Sequence, residues 1–286
     1  MSRRLGLLEL HVAVLLFGLA GVVGKAISAG ALAIVLGRSA IAAVILGAGL
    51  ALWGGGLKLP KGDRAGLLGT GFLLAAHWLA FFHAIALSSV AIGVVGFATF
   101  PLFVSLMSPM LGGPRPRWID GLTALAVLLG LTLVASPSNT ASHGGALALA
   151  VFSGWLFAGL TLLNRRLVLR QPFLLVSFYQ HAGAAVVLVP VAVIAGATVQ
   201  GQDYWLIAVL GIVCTAFAQT LFVKSLAKIE APLASVVTGL EPIYAIALAA
   251  WLINEIPSTL TLLGAALVVA AVFIASLARP ASPARR

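Results

Sequence analysis

The chain has 286 residues, of which 62% are apolar and only 8% charged, with a mean hydropathy of +1.15. A soluble domain is about half apolar and a quarter charged, so this composition excludes a water-facing globular protein. The formal charge of +10 and pI of about 10.9 would suggest a nucleic-acid partner in a soluble protein. Here the basic residues stand in short clusters between apolar runs, so they read as topology signals and no nucleic-acid partner is expected.

A membrane-spanning helix needs about 20 mostly apolar residues. Breaks in the apolar runs predict helices over 9–27, 31–53, 65–87, 90–111, 118–136, 144–163, 172–195, 205–223, 232–252 and 259–278. The runs are continuous, as in Leu122–Ala135 and Leu262–Ala275. They lack the alternation of a membrane β-barrel, and the expected fold is all-α with ten transmembrane helices. Arg3 and Arg4 before the first run resemble the start of a signal peptide, but the run has the length of a span and no A-x-A site ends it, so it reads as a retained first helix. Turn chemistry marks the connections: Gly54–Gly56, Pro114 with Pro116, Ser136–Ser142, and Gly196–Gln202.

Lysine and arginine in short loops set orientation. With the N-terminus inside, the cytoplasmic set is Arg3, Arg4, Lys58, Lys61, Arg64, Arg115, Arg117, Arg165, Arg166, Arg170, Lys224, Lys228, Arg279, Arg285 and Arg286, which is 15 of the 17 basic residues. The other two, Lys25 and Arg38, fall within or at the ends of the first two helices. Ten helices therefore put both termini in the cytoplasm, and the expected location is the bacterial inner membrane.

The two halves of the chain align on each other. Phe82–Phe103 lies over the segment beginning at Phe222 with an offset of 141 residues, pairing Ala86 with Ala227 and Pro101 with Pro242. At nearly the same offset Leu36–Leu46 lies over Phe178–Leu188, and Gly18 answers to Gly154. Residues 1–141 and 142–286 are thus expected to be two five-helix repeats, the second inverted because each holds an odd number of helices.

With Arg38 in the second helix, small-residue helices from Ala91 and from Pro232, Pro101 and Pro242, and the Asn254–Glu255 turn before Gly264, the chain resembles the EamA branch of the drug/metabolite transporter superfamily. The resemblance covers nearly the whole chain. It departs in the first half, where Gly113, Pro114 and Arg115 stand in place of an acidic turn. Within the branch, the length and a His- and aromatic-bearing third helix look most like YddG-type exporters of aromatic and neutral amino acids. The resemblance implies secondary transport by alternating access, with energy from the substrate gradient or a coupled ion.

Ionisable residues inside a bilayer are costly and mark functional sites or satisfied structural roles. Glu241 lies mid-way along the ninth helix before Pro242; protonated, it would donate to a carbonyl freed near Val237 or Thr238, or it would exchange a coupling proton. The structural role is favoured. His77 and Trp78 sit mid-way along the third helix, with Phe81 one turn on, and Trp78 answers to Gln219 in the eighth. These are cavity candidates, His77 against the alternative of an interhelical hydrogen bonder. Trp155 in the sixth helix lines the cavity or faces lipid, and Tyr244 joins the cavity candidates. Phe97 and Phe100 form a hydrophobic wall or, as the better reading, simple packing. Arg38 is read as a snorkelling cation that anchors carbonyls or loops near the external end, in preference to a magnet for a substrate carboxylate, because its counterpart Gln180 is uncharged. Tyr179 and His181 beside Gln180 fall in a helix interior.

No phosphate loop, Gly-x-Ser-x-Gly or H-E-x-x-H is present, Glu241 has no second carboxylate near the midplane, and the single Cys214 has no disulfide partner in the chain. The expectation is therefore no enzyme, no cofactor and no metal site. The expected cargo is a small neutral or amphipathic metabolite, amino acids including aromatic ones. Another metabolite or drug class (a sugar, a purine, a quaternary amine) and a channel-like facilitator are the alternatives. The remaining partner is the lipid bilayer, and the sequence is compatible with a monomer and with a dimer.

Overall fold

A computed structural model describes residues 3–52, 56–58, 61–111, 118–134 and 142–277. The loop residues Gly113, Pro114, Arg115, Pro116 and Arg117, the Gly54–Gly55 pair, most of Ser136–Ser142 and the C-terminal Arg279, Arg285 and Arg286 lie outside the described residues. Among the described residues there is no strand. The helices are α1 (Arg3–Ala26), α2 (Ala31–Leu52), α3 (Arg64–Leu87), α4 (Val90–Phe97), α5 (Phe100–Met107), α6 (Trp118–Val134) and α7 (Ser142–Val168). They continue as α8 (Phe173–Ile194), α9 (Asp203–Gly211), α10 (Ala218–Leu226), α11 (Ala231–Thr238), α12 (Glu241–Leu252) and α13 (Thr259–Leu277).

Eight stretches are long and apolar enough to cross a membrane: Arg3–Ala26, Ala31–Leu52, Lys61–Leu87, Val90–Met110, Gly144–Val168, Phe173–Ile194, Asp203–Leu226 and Ala231–Leu252. The apolar helices at Gly121–Val134 and Thr259–Ala271 are shorter. These are the places where the sequence predicts its ten helices, with ends displaced by a few residues.

Three of the predicted rods are interrupted. Proline has no N–H and collides with the carbonyl four residues earlier. For Pro101 and Pro242 those carbonyls belong to Phe97 and Thr238, the last residues of α4 and α11. Each helix stops there and restarts one residue before its proline, at Phe100 and at Glu241. Both the short helices and their breaks recur 141 residues apart. At the first break Thr99 Oγ1 donates to the Gly96 carbonyl at 2.8 Å, one of the side-chain substitutions that make a broken helix tolerable in an apolar interior. The third interruption is a π-turn over Ile212–Phe217, between α9 and α10. There the Thr215 hydroxyl donates to the Leu210 carbonyl at 2.7 Å, spanning the five-residue spacing that a widened turn creates.

In the bundle α2 lies against α8 and α6 against α13. The first helix, α1, packs on α10 and α12, while α7 packs on α3, α4 and α5. Small residues set these distances. A Cβ on Gly71 would stand 2.7 Å from the Gly183 Cα, so α3 and α8 touch backbone to backbone. A Cβ on Gly18 would stand 2.9 Å from the Ala245 nitrogen, and one on Gly154 would stand 3.0 Å from the Phe97 carbonyl oxygen. The two glycines therefore seat α1 and α7 against the two broken helices.

Polar groups hold the bundle at both ends. At one end Glu9 meets Lys224 at 2.8 Å and Lys228, while Asp63 meets Arg170 at 3.7 Å and accepts from Gln171 at 2.7 Å. The Arg165 guanidinium donates to the Leu226 carbonyl there. At the opposite end the amides of Ser28 and Ala29 donate to Asp203, and those of Val90 and Ala91 donate to Glu255. Glu255 thereby caps the start of α4, following Asn254, whose φ of 53° turns the chain sharply after α12. Lys25 donates to the Ile85 and Ser88 carbonyls at the C-terminus of α3, where a cation complements the helix dipole.

Candidate functional site

Between the two broken helices lies a central cavity with about 30 Å³ of free volume, room for about two water molecules. Its walls come from seven helices. Phe17 and Ala20 come from α1, Arg38 from α2, His77, Trp78 and Phe81 from α3, and Phe97 from α4; Phe157 of α7, Gln219 of α10 and Glu241 of α12 complete it. Ligand pockets usually enclose about 300–1,000 Å³, so the cavity as it stands is smaller than a metabolite needs.

The aromatic wall is continuous. The His77 ring lies 4.7 Å from Phe157 and 5.4 Å from Phe97, and Phe97 stacks on Phe100 at 5.3 Å with 14° between planes. His77 is fixed by Ser153 of α7, whose hydroxyl lies 2.7 Å and whose carbonyl lies 3.1 Å from Nδ1. Both readings of His77 thus hold geometrically: it is an interhelical hydrogen bonder and it borders the cavity.

Arg38 does not snorkel toward the external end, as its sequence reading expects, although it does bond a carbonyl. Its side chain is only 2% exposed and lies at the cavity, because the π-turn supplies partners for it in the interior. Nε donates to Thr215 Oγ1 at 2.8 Å and a terminal nitrogen donates to the Cys214 carbonyl at 3.2 Å. The guanidinium carbon stands 3.8 Å from the centre of the Trp78 ring, and His181 stacks beyond that ring at 5.7 Å. Cation–π contact of this kind offsets part of the cost of burying the charge.

Glu241 is 3% exposed and is the first residue of α12. Among the described residues no hydrogen bond joins it to the Val237 or Thr238 carbonyl. The carboxyl instead borders the cavity, and among the described residues no ion pair joins it to Arg38. Gln219 also borders the cavity with its Nε2 buried and lacking a protein partner. On α8, Gln180 and His181 are likewise fully buried, and their polar side-chain atoms have no protein partner.

The chain matches the family model described as EamA-like transporter family twice, over residues 4–136 and 144–277. The chain belongs to the EamA-like transporter family. It is a multi-pass membrane transporter, and the family points to a small-molecule substrate and a lipid environment, not to catalysis. Among curated relatives it is 26% identical over 196 residues to the "Uncharacterized transporter YxxF" of Bacillus subtilis (strain 168), a match covering 67% of this chain and 63% of that protein. It is 24% identical over 239 residues to an "Uncharacterized transporter" of Archaeoglobus fulgidus, covering 78% of this chain and 80% of that one. A solved crystal structure shares the fold with a TM-score of 0.73 at 19% identity, covering 96% of this chain and 98% of the other.

Of the sequence candidates, His77, Trp78, Phe81, Phe97, Gln219, Glu241 and Arg38 converge on the cavity. Phe100 is buried one layer behind, stacked on Phe97. Tyr244 is half-buried where α1 meets α12 and is not part of the cavity wall. Of the two positions open to Trp155, the structure has the outer one: it is 44% exposed, stacks on Phe152 and lines an outer apolar groove with Phe103 and Leu131. The face of α7 turned inward carries Ser153, Gly154 and Phe157 instead. Phe17, Ala20 and Phe157 are cavity residues that sequence reasoning missed. Their signal lay in Gly18 and Gly154, which mark the inward faces of their helices. Among the described residues no cluster of three metal-ligating side chains occurs.

The anchoring of Arg38 yields a direct test. Thr215→Val keeps the shape but removes the acceptor from a buried guanidinium, and should cost about 1–3 kcal/mol in stability. Thermal unfolding in detergent should show a lowered Tm for Thr215→Val and a wild-type Tm for Thr215→Ser; an unchanged Tm in Thr215→Val would sink the anchor.

Proposed function

We propose that the chain is a secondary carrier that exports small amphipathic metabolites, amino acids including aromatic ones, across a bacterial inner membrane. The observation that carries this reading is the central cavity: a wall of aromatic rings interrupted by one cation, one acid and one amide. Such a lining suits a molecule with an apolar side chain and a small polar head. It does not suit a polyanion such as a nucleotide sugar, which needs several cations.

Movement follows from two inverted five-helix repeats, residues 1–141 and 142–286, with both termini cytoplasmic. Support comes from the paired family matches, the helix breaks 141 residues apart and the reciprocal packing of α1 and α7 on the broken helix of the other half. Rocking one repeat against the other opens the cavity first to one side and then to the other. Polar contacts between the halves then close the two ends in turn: Glu9 with Lys224 and Lys228, and Asp63 with Arg170, at the cytoplasmic end; Asp203 and Glu255 at the external end. Each set joins side chains or amides of one half to those of the other, so it must part as the repeats rock.

Counterflow in proteoliposomes tests the carrier. Unlabelled amino acid inside should drive transient accumulation of labelled phenylalanine, tryptophan, threonine, methionine or alanine above equilibrium. A pore shows no such trans-stimulation, and movement of a sugar or quaternary amine alone would overturn the amino-acid assignment. Orientation has its own check: a cysteine placed at Lys58 should react with an impermeant thiol reagent only from the cytoplasmic side, and one at Gln200 only from outside. The reverse pattern would invert the proposed topology. The natural Cys214 is buried and gives no background.

A further inference from the structure

We infer that Arg38 and Glu241 form a charge clamp that selects zwitterions, the guanidinium receiving a carboxylate and Glu241 receiving an ammonium group. The inference rests on the carrier reading above and assigns the polar half of its substrate.

Arg38 is built as a receptor with capacity to spare. A guanidinium carries five N–H donors in a planar fork. The protein uses one on Thr215 and one on the Cys214 carbonyl, which leaves three. The plane is held by the Trp78 ring 3.8 Å below and by the Thr215 bond, so the fork does not need to be ordered when a ligand arrives. Two parallel N–H···O bonds to a carboxylate are the match for that geometry. Gln219 stands one turn along from Thr215, and its buried, unpartnered Nε2 is a further donor at the same cavity.

Glu241 is the complement. Beside a ligand ammonium its carboxylate accepts hydrogen bonds. This one borders the same cavity at 3% exposure, with no hydrogen bond or ion pair from the described residues. A guanidinium and an acid therefore face one cavity without closing on each other. Burying a charge without a partner is costly, and a ligand that answers only one of them leaves the other unanswered. A cation strands Arg38, an anion strands Glu241 and a sugar strands both. A zwitterion satisfies the pair and adds no net charge to the interior. Its side chain then falls among Phe81, Phe97 and Phe157, whose rings supply the apolar part of the wall.

The clamp also joins the two halves of the chain. Arg38 belongs to residues 1–141 and Glu241 to 142–286, and the positions that answer them, Gln180 and Phe100, are uncharged. One ligand thus bridges the halves, which gives it more contact in the closed form than in either open one. That differential is what a substrate needs in order to drive closure.

The test measures inhibition of labelled phenylalanine counterflow by phenylalanine, by phenethylamine (ammonium only) and by 3-phenylpropionate (carboxylate only). In the wild type both analogues should compete at least about tenfold more weakly than phenylalanine, since each leaves one buried charge unpaired. In Glu241→Gln, 3-phenylpropionate should rise to match phenylalanine while phenethylamine stays excluded. In Arg38→Gln, which places the residue found at position 180, phenethylamine should rise instead. If the wild type exchanges phenylalanine but accepts either analogue equally well, the clamp is wrong and the carrier stands. If it exchanges no amino acid, the carrier reading and the clamp both fall. Loss of exchange in Glu241→Gln without a switch in preference also overturns the clamp. Should Arg38→Gln not fold, the wild-type and Glu241→Gln arms decide.

Discussion

A proline offers no backbone N–H, and at Pro101 and Pro242 that single missing donor shapes the centre of the protein. Each helix stops four residues before its proline and resumes on the residue just ahead of it. The breaks bring the ends of short helices into the interior, where continuous helices would present only side chains. Phe97 ends α4 at the cavity wall, and Glu241 begins α12 there. Without the second break Glu241 would be an unexplained acid in the middle of an apolar rod.

A second irregularity answers the first. The π-turn at Ile212–Phe217 widens one helix enough for Thr215 and the Cys214 carbonyl to receive Arg38. A guanidinium in an apolar bundle needs several acceptors at once, and regular α-helix has none to give because its carbonyls are already bonded. The irregular backbone thus provides the polar contacts, and the regular helices provide the aromatic walls. Gly18 and Gly154 bring α1 and α7 close enough to seal the arrangement, each against a broken helix.

Most of the fold was legible in the sequence because apolar runs of membrane length are hard to mistake, and the turn residues between them are sharp. The broken helices were only half legible. Pro101 and Pro242 were visible and their spacing was noted, but hydropathy does not distinguish a continuous helix from one interrupted between equally apolar halves. The π-turn left no signal, since Thr215 looks like any other hydroxyl until Arg38 is seen to bond it. For the same reason Arg38 read as an anchor at a helix end: one-dimensional position gave no hint of interior acceptors. For Trp155, cavity or lipid, helical phase decides. Three residues of the inward face of α7 surround it in sequence, yet at 100° per residue Trp155 itself turns to the outer groove. Membership in the EamA-like family fixes transport, while the polar pair inside the cavity is a property of these residues in this arrangement.

Cargo held between Arg38 and Glu241 has its side chain among the phenylalanines. A crystal of the protein grown with 4-bromophenylalanine tests it directly, because bromine gives an anomalous difference peak that needs no interpretation of the surrounding density. One peak is expected inside the cavity near Phe97 and Phe157, with the ligand carboxylate on Arg38. A saturated crystal whose peak lies in the outer groove beside Trp155, with the cavity empty, would contradict it.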